Sequence, residues 1–430
     1  MNICMFTNTY RPHIGGVAGS VSRFEEDLKK LGHRVLIVAP TYAESTEKEP
    51  EGSEVLRVPA IQNFNGSDFS VRIPIPFITD EKIDAFAPDI IHSHHPFLLG
   101  DAAIRAAYRR QMPIVYTNHT LYEEYTHYVS SRSPKMKKFV VRMTTAYANM
   151  CTHVVAPSKS IGELLKKRGV KTPVTEVPTG VDCEAFENAD GIRFRKSVGI
   201  PENARVIGHL GRLAPEKNLV YLAQAVGQFL EKDPEAWFLV VGEGPDKSSI
   251  EKILADKGLE KRLVMAGKKT GQSLIDAYYA MDLFVFSSKT ETQGMVLAEA
   301  MAAATPVIAL DATGVREVVS DMKNGRLLKG DSSQEEFAAA IKQFFEDTGN
   351  MESMKKSALA TARGFDRINC ASRLSELYEE ICKTWTKEKR SASIDDLLGD
   401  WDEILKAVRM EWNILSRKID ALTRTLTSSD

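Results

Sequence analysis

The chain reads as short apolar runs rich in Val and Ile, separated by longer amphipathic segments. In the first half the runs are Ile3–Thr7, Val35–Ala39, Ile90–His92, Ile114–Thr117, Val154–Ala156 and Val174–Val177. Between them lie helix-length segments such as Ser20–Leu31 and Ile161–Arg168. Continuous β-branched runs predict strands buried on both faces, and the intervening helices predict parallel pairing. The pattern restarts with Val206–Leu210, Phe238–Val241, Leu263–Ala266, Leu283–Phe286 and Pro306–Leu310. The break falls in a linker over residues 180–203, rich in Gly, Asp and Glu and containing Pro201. The expectation is an α/β protein of two Rossmann-like, doubly wound domains, 1–190 and 191–384, facing across a cleft. Ligands of such sheets bind beyond the carboxyl ends of the strands, which makes the cleft the expected site.

After residue 384 the composition changes. A charged connector over Thr386–Ser393 leads to Trp401, Leu405, Val408, Trp412, Leu415, Ile419, Leu422 and Leu426. Their spacing alternates between 4 and 3, which predicts a C-terminal helical heptad extension over 385–430. Self-association through residues 401–426 and packing on the chain's own body both satisfy that seam.

Composition narrows the class. At 430 residues, 43% hydrophobic and 27% charged, the chain is too apolar for global disorder and too polar for a membrane bundle. Lys and Arg number 56 against 58 Asp and Glu, so no nucleic-acid partner is expected. The five cysteines show no C-x-x-C pairing, which argues against a disulfide framework or a structural zinc site and for reduced thiols. The N-terminus MNICMFTNTY lacks a basic region and a long apolar core, and no apolar stretch is long enough to span a bilayer. A cytoplasmic location, with contact to a membrane only at its periphery, is the expectation.

Three clusters carry candidate chemistry. Pro12-His13-Ile14-Gly15-Gly16-Val17-Ala18-Gly19 follows the first strand and precedes a helix, where backbone N–H groups can approach a phosphate closely. It is not G-x-G-x-x-G and has no P-loop lysine, so a structural turn explains it equally well. Gly211-Arg212-Leu213-Ala214-Pro215-Glu216-Lys217-Asn218 occupies the matching place in the second half. There Arg212 can fork onto two phosphate oxygens and Lys217 adds a compact charge, although two solvated surface cations would look the same. The third cluster runs from Ser288 to Met301 and places Glu291 in a loop and Glu299 in the following helix, among Ala, Met and Leu. A carboxylate there is costly unless paired, so it either binds hydroxyls or satisfies a buried neighbour. The helix start at Gly294, Met295, Val296 and Leu297 offers free N–H groups as an anion site.

Taken together, Gly211–Asn218 and the Glu-x7-Glu of 291–299 resemble the retaining nucleotide-sugar glycosyltransferases of the GT-B fold, family 4. Matching stretches are Pro157-Ser158-Lys159-Ser160, Val177-Pro178-Thr179-Gly180-Val181-Asp182, Val241-Gly242-Glu243-Gly244-Pro245 and Pro306-Val307-Ile308-Ala309. The resemblance runs in order from residue 1 to about 384. It implies that Glu299 holds the nucleotide ribose and Glu291 contacts the donor sugar. Arg212 and Lys217 then neutralise the diphosphate, with backbone N–H groups at Gly16 and near Gly294 on its oxygens. His119, in Thr117-Asn118-His119-Thr120, matches the family histidine beside the transferred sugar; read alone it is a capping histidine. His92, His94 and His95 crowd a strand end, yet no metal is expected, because the family needs none and no D-x-D pair stands out. Two positions depart from the family pattern. Ala304 stands where glycine is usual before Thr-Pro-Val, and Met265 replaces a common aromatic.

The family chemistry transfers a hexose from a nucleotide sugar, with UDP-glucose favoured here, to a hydroxyl acceptor. Thr290–Gly294 and His119–Tyr128 resemble the diacylglycerol glucosyltransferase branch. Residues 132–143 carry Arg132, Lys135, Lys137, Lys138 and Arg142, with Met136, Phe139, Val140 and Met143 at helical spacing. Such a helix suits an anionic membrane surface, and it equally suits a core-facing helix with a solvated basic side. A same-fold sugar-nucleotide epimerase and a soluble or polysaccharide acceptor stay open. A dehydrogenase lacks its glycine fingerprint, and a heptad-based scaffold leaves the charged residues of the cleft unexplained.

Overall fold

A computed structural model describes residues 1–13, 15–42, 52–61, 71–72, 80–124 and 134–385. Ile14, Tyr125–Tyr128, residues 132–133 and the heptad seam 401–426 lie outside the described residues.

The first lobe carries strands β1 (Asn2–Phe6), β2 (Arg34–Pro40) and β3 (Glu54–Val58), and a short antiparallel pair β4 (Ala60–Ile61) and β5 (Val71–Arg72). Strands β6 (Ile90–Ser93), β7 (Ile114–Thr117), β8 (His153–Ala156) and β9 (Val174–Glu176) follow. Its helices are α1 (Gly16–Lys30), α2 (Asp80–Phe86), α3 (Leu99–Arg110), α4 (Pro134–Met150) and α5 (Lys159–Lys167). The main sheet is parallel, in the order β3-β2-β1-β6-β7-β8-β9. Alternate residues of β1 serve opposite faces, as the strand period requires. Cys4 and Phe6 enter one core, while Ile3 and Met5 enter the other. This is why the strand reads as continuously apolar.

The second lobe contains α6 (Gly191–Ser197), β10 (Arg205–Leu210), α7 (Leu219–Leu230), β11 (Ala236–Val241), α8 (Lys247–Ala255) and β12 (Leu263–Gly267). It continues through α9 (Gly271–Tyr279), β13 (Leu283–Phe286), α10 (Met295–Ala302), β14 (Val307–Leu310), β15 (Gly325–Leu328), α11 (Gln334–Glu346) and α12 (Thr348–Gly364). Its sheet is parallel in the order β12-β11-β10-β13-β14-β15. Two doubly wound, Rossmann-like sheets are therefore present. The edge strands β3 and β15 escape the hydrophobic pattern, being short and interrupted by Arg57 and Arg326.

The stretch 180–203 is not a free linker. Phe186, Phe194 and Ile200 are buried in the second lobe's core. The chain also returns: helix α13 (Arg367–Thr384), last in sequence, buries Ala371, Leu374, Leu377 and Tyr378 against Val21, Phe24 and Leu28 of the first lobe. Residues 367–384 thus pack away from the lobe that precedes them, because their apolar stripe covers the face of the first sheet flanked by α1. The two crossings run side by side as a parallel bridge between Val181 and Asp366. Gly180, at φ +86°, precedes the bridge, and a Cβ there would lie 2.5 Å from the Arg367 Cα. Arg367 closes this hinge, donating to Asp27 at 2.6 Å and to Glu26 and Asp182 at 2.8 Å.

The alanine departure has a physical reading. After α10, Thr305 N–H reaches Ala300 O at 3.0 Å and Ala304 N–H reaches Met301 O at 2.9 Å, the paired bonds of a Schellman motif. Ala304 sits at its left-handed position with φ +55°. An L-residue is strained there and glycine is not. Ala304→Gly is expected to raise unfolding stability by about 1 kcal/mol, read from urea denaturation.

Candidate active site

In each sheet the strand order reverses beside the first strand, between β1 and β6 and between β10 and β13. Loops leaving such a switch point diverge and leave a crevice. The glycines at 15–16 follow β1, His94 and His95 follow β6, and His119 follows β7. From the second lobe, Arg212 and Lys217 follow β10, and Glu291 follows β13. Contacts between the lobes join these loops. Thr292 Oγ1 donates to His119 O at 2.9 Å, Ser158 Oγ donates to Thr292 O at 2.7 Å, and Thr179 N–H donates to Gln293 Oε1 at 3.2 Å.

Lys217 and Glu291 form an ion pair, with side chains only 19% and 15% exposed. Burial pushes the Glu291 carboxyl up, but the Lys217 ammonium and hydrogen bonds from Lys217 and Ser288 outweigh it, holding the group below the usual glutamate range. Lys217 ends a short turn over Pro215–Lys217, and Ser287 Oγ fixes that turn by donating to Lys217 O and Asn218 O at 3.1 and 3.0 Å. Arg212 is half-exposed and pairs with Glu216. Beneath them His209 is 1% exposed, with Nδ1 3.0 Å from Val285 O and Nε2 without a partner among the described residues. Burial pushes its pKa down to about 4.

Gly294 stands at the N-cap of α10 with φ +70°, and Met295 and Val296, the first two helical residues, have no intrahelical carbonyl partners. Leu297 differs from the expectation. Its N–H bonds Gly294 O at 2.9 Å in a tight first turn, so it is not a free donor for an anion. Gly16 begins α1 without a side-chain cap, and a Cβ there would meet nothing within 4 Å. Glu299 accepts a 2.8 Å bond from Arg23 of the first lobe and a 2.9 Å bond from the Tyr278 hydroxyl. A carboxylate has about four lone-pair sites, so two stay available to ligand hydroxyls. Neither Arg23 nor Tyr278 has a sequence signal, since each is defined only by the fold that brings it to Glu299.

On the first lobe, His92, His94, His95 and His119 are buried together. Nδ1 of His94 lies 2.9 Å from Nε2 of His119. His92 is held between the Tyr378 hydroxyl of α13 and Thr117 Oγ1, and His95 Nδ1 accepts the Asn8 N–H at 3.1 Å. Burial pushes the pKa of His119 down to about 4 and that of His95 to about 3, and lowers His92 and His94 as well. Among the described residues, no group of three His, Cys, Asp or Glu is placed to hold a metal.

Comparison with known proteins decides the class. The family described as Glycosyl transferases group 1 matches residues 191–361, and Glycosyltransferase Family 4 matches residues 14–185. The chain belongs to the GT-B glycosyltransferases of these families. Among relatives, the alpha-monoglucosyldiacylglycerol synthase of Acholeplasma laidlawii is 27% identical over 89% of this chain and 96% of its own. A GDP-mannose-dependent alpha-mannosyltransferase of Corynebacterium glutamicum is 28% identical over 82% of each chain. In fold, the glycosyltransferase is similar to Alr3699/HepE of Anabaena, solved in complex with UDP-glucose. That likeness has a TM-score of 0.71 at 22% identity and covers 88% of this chain and 99% of the other. The protein is a hexosyltransferase by class.

The buried imidazoles set a pH response. Unfolded, they titrate near 6.5, whereas in the folded glycosyltransferase they stay neutral to well below that value. From about pH 6.5 down to about 4 the unfolded chain therefore binds more protons, and stability falls as pH falls. Each such imidazole steepens the fall by up to about 1.4 kcal/mol per pH unit. Urea unfolding across this range is expected to show the decline, with a shallower slope in His209→Phe.

Proposed function

We propose that the protein transfers glucose from UDP-glucose, with retention, to diacylglycerol, and that the loops at the two switch points hold the donor. The observation that carries this reading is the largely enclosed Lys217–Glu291 pair, in the loops that lead to the uncapped amides of Met295 and Val296. It joins a fixed cation, a fixed carboxylate and a helix N-terminus at one edge of one sheet. Breaking the sugar–phosphate bond places negative charge on the departing diphosphate. Lys217, Arg212 and the amides of Gly16, Met295 and Val296 offset that charge, acting before any solvent need reorganise. Glu299, oriented by Arg23 and Tyr278, takes the ribose hydroxyls, while Glu291 and His119 contact the sugar. The acceptor oxygen bonds to the anomeric carbon on the face the diphosphate leaves, and its proton passes to a phosphate oxygen. No protein base is required.

The lipid acceptor is supported by the Acholeplasma relative, whose name states synthesis of a glucosyldiacylglycerol. Helix α4 supports membrane contact: Lys135, Lys138 and Arg142 are exposed, while Met136, Phe139, Val140 and Met143 are only partly buried. Among the described residues, no helix is long and apolar enough to cross a membrane.

The test measures nucleoside diphosphate released from UDP-glucose or GDP-mannose, with and without vesicles containing diacylglycerol and anionic lipid. Release from UDP-glucose only when the acceptor is present is expected, and this also separates transfer from epimerisation. Lys217→Ala is expected to lower turnover about 100-fold or more, and Glu299→Ala to raise the donor KM, with both variants folded. Normal turnover in both contradicts the assignment. The protein is expected to sediment with the vesicles at low salt and to release at high salt; no association at low salt contradicts the lipid acceptor.

A further inference from the structure

We propose that His94 is a positioning residue: its Nδ1–H donates to Nε2 of His119 and locks His119 in the tautomer that carries its proton on Nδ1. The consequence for catalysis rests on the glycosyl-transfer reading above, whereas the tautomer itself follows from the geometry of the pair.

The two rings lie 5.2 Å apart between centroids and are nearly parallel, with a single 2.9 Å nitrogen–nitrogen contact. One of the two nitrogens must bring the hydrogen. If His119 supplied it, the remaining proton of His94 would sit on Nε2, which is buried and has no partner among the described residues. A buried N–H without an acceptor is among the rarest defects in folded proteins, and an unpaired acceptor lone pair is tolerated more often. The hydrogen therefore belongs to His94 Nδ1.

A shared extra proton would remove this choice, but nothing nearby retains one. The groups around His94 are His92, with its centroid 4.0 Å away, and His95 and His119. Beyond His92 stand the hydroxyls of Tyr378 from α13 and Thr117 from β7. Among the described residues no carboxylate joins them, and each imidazole disfavours protonation of the next. Every ring thus carries one N–H. His92, anchored at both nitrogens and tilted against His94, limits rotation of the His94 ring.

Among the described residues, Nδ1 of His119 makes no hydrogen bond, while the carbonyl of the same residue accepts from Thr292 across the lobe boundary. Carrying a proton, Nδ1 is a donor suited to a sugar hydroxyl oxygen, and a nitrogen already protonated accepts no proton from an acceptor alcohol. This gives His119 a fixed polarity and assigns it binding and orientation instead of base catalysis.

The experiment is nitrogen–proton correlation NMR of the full chain labelled at histidine, with the His119 signals identified by their loss in His119→Asn. Wild type and His94→Asn, whose side-chain amide replaces the Nδ1 donor, are expected to show the Nδ1–H form of His119. His94→Leu is expected to show the other tautomer or a mixture. In transfer assays His94→Leu should lose about 10- to 100-fold in kcat with little change in donor KM, and His94→Asn should recover most of it. An Nε2–H signal for His119 in the wild-type protein overturns the proposal, and so does full turnover in folded His94→Leu. If His94→Leu does not fold, the wild-type spectrum alone decides. The tautomer is read without turnover, so absence of any glycosyl transfer would sink the functional reading while leaving this one to stand or fall on its own signal.

Discussion

A carboxylate withdrawn from water persists as an anion only beside a cation or strong donors, and the cleft of this glycosyltransferase is organised around two such groups. Glu291 is held by Lys217 within the second lobe, and Glu299 by Arg23 from the first. The two pairs differ in what they constrain. The Lys217 pair fixes a cation and an anion at the edge of one sheet, so the polarity of that edge is built in. The Arg23 pair spans the lobes, so the orientation of Glu299, held also by Tyr278 of its own lobe, depends in part on how the lobes meet. One part of the site is set by local folding, and the other by closure.

Closure is set by the chain crossings. The bridge between Val181 and Asp366 and the charges gathered on Arg367 give the two segments one hinge. Helix α13 then runs along the first lobe, and its Tyr378 reaches His92 inside the histidine cluster. The packing that ties the end of the described chain to the first lobe therefore also braces the imidazoles that flank His119. Fold and site share side chains here, so changes in α13 are felt by the site through packing alone.

Much of this was legible in the sequence because buried parallel strands leave an unbroken Val and Ile signature. The strands β7 and β13 match their apolar runs residue for residue. The edge strand over Glu54–Val58 was not legible, since one polar residue interrupts a run with solvent on its flank. Candidate residues such as Arg212, Lys217 and Glu291 could be found because they sit in loops at fixed distance from recognisable strands. Arg23 could not, being 276 residues from Glu299 with nothing local to mark it. The amphipathic stripe of α13 looks the same whichever lobe it covers. Leu297 misled for a smaller reason, the tight first turn of α10, which only backbone geometry reveals. Ala304 showed in sequence as a departure, but the left-handed backbone that gives it meaning did not.

The proposed binding of a nucleoside diphosphate sugar in the cleft rests on Lys217, the α10 amides and Glu299 acting together. A crystal structure of the protein soaked with UDP-glucose tests it most directly. The diphosphate is expected against Lys217 and the amides of Met295 and Val296, with the ribose hydroxyls on Glu299. Density for the nucleotide outside the interlobe cleft, or inside it but untouched by these groups, would contradict the claim.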